Sequence, residues 1–219
     1  MNIPETIDIG GSKEWDDANN QEGKRPRRST IRLYADGTEL TDKVQTVTAA
    51  DNWEWTFTDR PKYANGREIN YTITEDAVAG YTTSVSGYNV TNTHTPEAIE
   101  LSRRKAWNDA DNQDGKRASE LTVDLMRNGT EVAGTVTLNE ENGWTDTVED
   151  LDKYTGGVEN VYTWAEKNLP EGYSLTDTKK EVTEATEDTL EAAITTLTNT
   201  HTPGKVSAEI LKIWDDAEN

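Results

Sequence analysis

The sequence predicts tandem antiparallel β-sandwiches, and three observations carry that prediction: a long internal repeat, short Thr-rich alternating runs, and a hairpin turn at the same place in each repeat. The repeat comes first, because self-similarity fixes architecture before any residue-level argument. KEWDDANNQEGKR from Lys13 recurs as KAWNDADNQDGKR from Lys105, and a shortened copy, KIWDDAEN, begins at Lys212. Downstream, Trp53 matches Trp144, PKY at 61–63 matches DKY at 152–154, and NYTITE at 70–75 matches VYTWAE at 161–166. The pairs Gly80-Tyr81 and Gly172-Tyr173 follow, and TNTHTP occurs at both 91–96 and 198–203. The unit therefore begins at K-x-W and ends at N-T-H-T-P.

Within a unit the elements are short. IRLYADGTEL reads as two strands around an Asp-Gly turn, and LTVDLMRNGTEV repeats it with Asn-Gly. Abundant Thr with Val, Ile, Tyr and Trp favours pleated surfaces over helices. The spacing from Lys to the Glu of the Y-T-x-x-E segment is 62 residues in the first unit and 61 in the second. From that Glu to the closing Asn it is 17 against 33, so the second unit carries an insertion of 16 residues near 176–193. That acidic segment admits either a longer hairpin or a short surface helix. The organisation expected is an N-terminal leader (1–11), a first repeat (12–96), a linker (97–103), a second repeat (104–203), and the start of a truncated third (204–219), a chain that reads as a piece of something longer.

Composition narrows the function. With 219 residues, each half can hold a small core of its own. Apolar residues are 32% of the chain, with seven Trp, eight Tyr and one Phe, so that core is thin and anchored by aromatics. Asp and Glu number 42 against 22 Lys and Arg, a net charge of −20 that repels phosphate backbones and anionic lipid and excludes nucleic acid as a partner. The absence of Cys removes disulfides, thiolate chemistry and Cys-type zinc sites. No apolar run is long enough to span a bilayer, and MNIPETIDIGG lacks the basic start and apolar stretch of a signal peptide.

Strand alternation then exposes an anomaly. Residues two apart share a face, so Glu75 goes with Tyr71 and Ile73, and Glu166 with Tyr162 and Trp164. By the same rule Asn92 goes with Tyr88 and Val90, Asn199 with Thr195 and Leu197, Lys105 with Trp107, and Lys212 with Ile210 and Trp214. Each complete unit thus points a Lys, a Glu and an Asn inward. An isolated buried charge costs several kcal/mol, about 3–5 when a partner is missing, so such groups are paired, neutralised or consumed. Desolvation favours a neutral amine beside a protonated carboxyl, and a neutral amine is a nucleophile. With an Asn carboxamide in reach, the Glu can shuttle protons while the Lys attacks and ammonia leaves, forming an amide cross-link. An ordinary buried salt-bridge network is the alternative reading of the same faces.

The K-x-W-[DN]-D-x-x-N-x-x-G-K-R opening, the Y-T-x-x-E segment, the G-Y pair and the closing N-T-H-T-P resemble the B-type repeat domains of Gram-positive collagen adhesins (Cna B-type), which also occur in pilins. The resemblance covers 12–96 and 103–203, with a third copy starting at 206–219. It implies tandem immunoglobulin-like or transthyretin-like sandwiches in a rod-like arrangement, and a self-formed isopeptide bond between the first-strand Lys and the last-strand Asn, assisted by a Glu. By position the trios are Lys13, Glu75 and Asn92, and Lys105, Glu166 and Asn199. Gly10-Gly11-Ser12 before Lys13 predicts a poorly formed first strand, and Lys212 is followed by neither a Y-T-x-x-E Glu nor an N-T-H-T-P Asn with which to close a bond in its own unit.

The function implied is a stalk module of a cell-wall-anchored, extracellular surface adhesin, needing no cofactor or metal and not an enzyme beyond a single autocatalytic turnover. Its partners would be neighbouring repeats of the same chain and host matrix proteins reached through other regions, without membrane insertion. A ligand-binding adhesin module using 176–193 is the second reading, and a hydrolase a weak third. The acidic loops DDANNQEG and NDADNQDG resemble a calcium loop, yet Gly115 falls at the seventh position from Asp109 rather than at the sixth, so a structural loop is expected. Lys62 in R-P-K-Y, matched by Lys153 in L-D-K-Y, reads as part of a turn, and His94 and His201 as parts of a repeated domain end.

Overall fold

The computed structural model describes residues 4–186 and 190–212. The chain divides into two compact units, one comprising residues up to Glu97 with Asp152–Asn160, the other Ala98–Leu151 with the residues from Val161 onward.

In the first unit the strands are β1 (Thr6–Asp16), β2 (Arg28–Ala35), β3 (Thr38–Thr48), β4 (Glu54–Pro61), the short β5 (Tyr63–Ala64) and β6 (Arg67–Glu68), β7 (Tyr71–Glu75), β8 (Thr82–Ser86) and β9 (Asn89–Thr93). One sheet has the order β4-β1-β9-β8, the other β3-β2-β7. Their inner faces bury Ile9, Ile31, Leu33, Val47, Trp55, Phe57, Tyr71, Ile73 and Val90. Alternation explains the membership: in β2, Ser29, Ile31 and Leu33 are buried while the residues between them are less so. The β2–β3 turn is Asp36-Gly37, both at positive φ (48° and 81°), which is the backbone a two-residue hairpin demands.

The second chain segment repeats this with β10 (Ala98–Asn108), β11 (Glu120–Arg127), β12 (Glu131–Asn139), β13 (Thr145–Asp152), β14 (Tyr154–Thr155), β15 (Val158–Glu159), β16 (Tyr162–Glu166), β17 (Ser174–Thr183) and β18 (Glu191–Thr200). The sheet orders, β13-β10-β18-β17 and β12-β11-β16, match those of the first unit. The core comprises Ile99, Leu101, Leu125, Leu151 and Ala193, beside Leu121, Val123, Val136 and Leu138.

Several expectations change. Most neighbours are antiparallel, but the first and last strands of each unit pair in parallel. The Gly10-Gly11 stretch does not break the first strand: β1 runs through it, and Ile9 from the supposed leader is a core residue. Residues 98–103 are not a linker but the first half of β10, with Ile99, Leu101 and Arg103 buried. Where a hairpin and a helix were both open for the insertion, β17 and β18 extend as a hairpin, antiparallel from Ser174–Thr200 to Thr183–Ala192. Residues 187–189 of the insertion and Trp214 of the third copy lie outside the described residues. Lys212 is described, exposed and outside any strand.

The acidic loops are structural knots. Ala18, Asn19 and Asn20 all take left-handed backbone, as do Ala110, Asp111 and Asn112. Asp17 accepts from the Asn20 N–H, from the Arg25 guanidinium and from Tyr81 Oη, while Asn20 Oδ1 accepts from the Arg25 N–H. Asp109, Asn112, Arg117 and Tyr173 repeat every one of these bonds. The carboxylate oxygens of Asp17 and Asp109 are thus already occupied. The N-T-H-T-P histidines close the same corner: His94 Nδ1 lies 2.8 Å from Gly80 O and Nε2 2.6 Å from Glu22 Oε2, and His201 bridges Gly172 O and Asp114 Oδ2. That is why GY, the acidic loop and the terminal His recur together.

Candidate functional site

Three strands bring the trio together in the first unit. β1 and β9 are parallel neighbours with Lys13 opposite Val90 and Trp15 opposite Asn92, so Lys13 and Asn92 sit two residues out of register on one inward face. β7, from the other sheet, ends at Glu75 facing them. Lys13 Nζ donates to Glu75 Oε1 at 2.5 Å, and both side chains are wholly shielded from solvent. Ser29 Oγ on β2 donates to the same oxygen, and Thr83 Oγ1 on β8 donates to Oε2 at 3.2 Å. Trp15 lies under the ammonium, its ring centroid 4.1 Å from Nζ. Burial lowers the Lys13 pKa against the pull of Glu75.

Asn92 is fully buried, and neither its Nδ2 nor its Oδ1 has a hydrogen-bond partner among the described residues. A buried carboxamide left unsatisfied on both atoms costs about 1–3 kcal/mol for each group and is rare in native folds.

The second unit repeats the register, with Lys105 opposite Leu197 and Trp107 opposite Asn199. Lys105 Nζ donates to Glu166 Oε1 at 3.1 Å, and Asn199 Nδ2 donates to Glu166 Oε2 at 3.0 Å. Here it is the amide nitrogen of the carboxamide that meets the acid. Asn199 Oδ1 is buried without a hydrogen-bond partner among the described residues. Burial pushes the Lys105 ammonium down to about 8 against the pull of Glu166, and the charge of Arg103 adds to the lowering.

Arg103 is a member that the sequence reading missed. It is completely buried, and its Nη2 donates to Glu166 Oε1 at 2.5 Å. Alternation contained the signal, since Leu101, Arg103 and Lys105 share a face. The same rule, extended back from Ile31, would have found Ser29.

The fold and site define a class of protein: a tandem β-sandwich repeat that seals a Lys, a Glu and an Asn between its first, last and facing strands. The sequence pattern of the Cna protein B-type domain matches residues 9–93 and 101–200, and the chain belongs to that family. It is 39% identical over 216 residues to a collagen adhesin of Staphylococcus aureus; the match takes in 99% of this chain and 17% of that protein's length. Among solved structures it is similar to a single B repeat unit of the collagen-binding surface protein of Staphylococcus aureus, with 39% identity, 91% of this chain and all of that one covered, and a TM-score of 0.40. The structure of two B repeat units of that protein gives 39% identity, 91% and 50% coverage, and a TM-score of 0.41. The chain is therefore a structural repeat module of the Cna B type.

Proposed function

We propose that this chain is a stalk segment of a cell-wall-anchored, extracellular adhesin, and that each repeat closes a covalent staple, Lys13 to Asn92 and Lys105 to Asn199, assisted by Glu75 and Glu166. The observation that carries this reading is a buried carboxamide, unsatisfied on both atoms at Asn92 and on its oxygen at Asn199 among the described residues, beside a buried lysine paired to a carboxylate in the same register in both units. Condensation relieves that arrangement, because it consumes the amide nitrogen, removes the lysine charge and leaves one secondary amide.

In each reaction the bond from Lys Nζ to Asn Cγ forms and the bond from Cγ to Nδ2 breaks. Two protons leave the lysine nitrogen, travel by way of the Glu carboxyl to Nδ2, and depart with it as ammonium. Burial supplies the nucleophile by disfavouring the charged amine. The Glu accepts the lysine proton and delivers it where the leaving group forms. The site is spent after one turnover, and this chain's catalysis ends there.

The intact mass under denaturing conditions tests the reading. A shortfall of two ammonia molecules from the sequence mass is expected; no shortfall would reduce both trios to buried ion-pair networks.

A matrix-binding role is the second reading, favoured by β17, which is exposed along its whole length and carries Leu175 and Val182 outward. Deleting the extra hairpin turns without loss of binding to host matrix proteins would dispose of it.

A further inference from the structure

The two units hold their acids differently. In the first, Glu75 is opposite Ile31 on β2, Ser29 two residues earlier donates to its Oε1, and Thr83, opposite Asn92, donates to its Oε2. In the second, Glu166 is opposite Val123, the residue two earlier is Leu121, and Leu175 stands opposite Asn199. Both hydroxyl donors have become leucines.

Arg103 has arrived in their place. It lies two residues before Lys105, where the first unit has Gly11, a position at which a Cβ would come within 1.7 Å of Tyr88 O and 2.8 Å of the Trp55 ring. Trp55, opposite Gly11, fills that part of the first core, and the matching residue on β13 is Asp146. The guanidinium spans three strands: Nη1 donates to Arg104 O (3.0 Å) on β10 and Thr195 O (3.2 Å) on β18, and Nη2 to Glu166 on β16. Stability alone is a weak account of it, because a buried ion pair is commonly no better than well-packed apolar side chains, which the first unit uses.

We propose that Arg103 is the positioning residue of the second staple: it grips Glu166 Oε1 so that Oε2 stays on Asn199, and it sets a second cation beside Lys105 that favours the uncharged, attacking amine. This rests on the cross-linking reading above. The charged groups acting on Lys105 are Glu166 from β16 and Arg103 from its own strand. β11 presents Leu121 and Val123 to this space, and β18 presents Leu197 and Asn199, none of them charged. Without Arg103, Lys105 keeps only the carboxylate, which favours its ammonium, so bond formation moves to higher pH.

The test uses the whole chain, made in a cell-free pulse of labelled amino acids and chased from mildly acidic to mildly alkaline buffer. It is then quenched in denaturant and digested, and the two cross-linked peptide pairs are counted separately by mass spectrometry. Arg103→Gln is expected to slow the Lys105 to Asn199 bond about tenfold at neutral pH and to move its pH profile up by about one unit, as loss of one neighbouring charge would. The Lys13 to Asn92 bond, measured in the same molecules, keeps its rate. Arg103→Lys, which restores a cation without the fork, should recover the pH position but not the full rate. A wild-type rate and profile in Arg103→Gln overturns the proposal. Should that variant fail to fold, a wild-type rate in Arg103→Lys overturns it instead, since grip on the carboxylate would then be dispensable. Wild-type chains with neither peptide pair linked overturn the cross-linking reading and this proposal with it.

Discussion

Lys13 and Asn92 lie on neighbouring parallel strands, two residues out of register and facing one carboxylate, an offset that Lys105 and Asn199 reproduce. Parallel pairing makes the offset matter. The chain enters the unit at the start of β1 and leaves at the end of β9, so the two strands run side by side with their outer connections at opposite ends. A covalent bond there closes a loop of nearly the whole domain. By the loop-entropy treatment of cross-links it is worth about 4–5 kcal/mol. Asn92→Ala and Asn199→Ala should each abolish one ammonia loss from the intact mass and lower the melting temperature of their own unit. Calorimetry on the two variants, with the mass of each, checks both halves.

Tension follows from the same geometry. With the proposed Lys13 to Asn92 bond formed, force applied through the ends of the first unit would run along β1 to Lys13, cross to Asn92 and exit, bypassing every residue between. In single-molecule pulling, the wild-type unit should show no unfolding step. Asn92→Ala should release about 250 Å of chain, at roughly 3.3–3.6 Å per residue less the folded span. A step of that size in the wild type would mean that the first staple is open.

An unreacted second unit should report its buried lysine through pH. In Asn199→Ala the Lys105 amine persists, with its pKa pushed down to about 8 from 10.5 chiefly by burial. Between those values the unfolded chain binds the proton and the folded chain does not, so stability rises with pH across that window and is flat below it. Urea melts of Asn199→Ala at graded alkaline pH should show this rise, and the cross-linked wild type should lack it.

The acidic loops give a pH slope of the same sign in an acidic window. Bonding to Arg25 first, then to the Asn20 N–H and Tyr81, lowers the Asp17 pKa from 3.8 to about 2 despite burial. A depressed carboxylate stabilises above its unfolded pKa and loses that contribution as pH falls towards the folded value. Asp17→Asn should therefore cost about 1–3 kcal/mol at neutral pH and flatten the acid limb of the first unit's unfolding curve. Unchanged acid unfolding in the variant would leave the loop without this role.

Much of this was legible because repeats and alternation are local signals. Two units aligned residue by residue, and a period of two put Lys13, Glu75 and Asn92 inside before any coordinates did. What escaped was decided by tertiary neighbours. That β1 and β9 are parallel depends on the order in which strands dock. The span of β1 through Gly10 and Gly11 depends on Tyr88 and Trp55, which are distant in sequence. Arg103 was hidden because a charged residue at the end of a presumed linker reads as exposed, and only the loss of the Ser29 and Thr83 hydroxyls in the second unit gives it a purpose.

Gly11 makes the last case testable. In propensity terms two successive glycines weaken a strand, and replacing one with Ala ordinarily stabilises a protein by some 0.4–1 kcal/mol where the backbone allows. The backbone here is compatible, since Gly11 is absent from the positive-φ glycines. The space is not: a Cβ would stand 1.7 Å from Tyr88 O, an atom of the chain leading into β9. Backbone cannot yield as a side-chain tip can, so β1 and β9 must separate, and overpacking of this kind costs upwards of about 1–3 kcal/mol. Separation also draws Lys13 away from Asn92. Gly11→Ala should therefore destabilise the first unit and suppress its ammonia loss while the second unit keeps its own, giving a mass shortfall of one ammonia where the wild type shows two. A Gly11→Ala protein with both losses and an unchanged melting temperature would show that β1 and β9 do not meet as closely as this register requires.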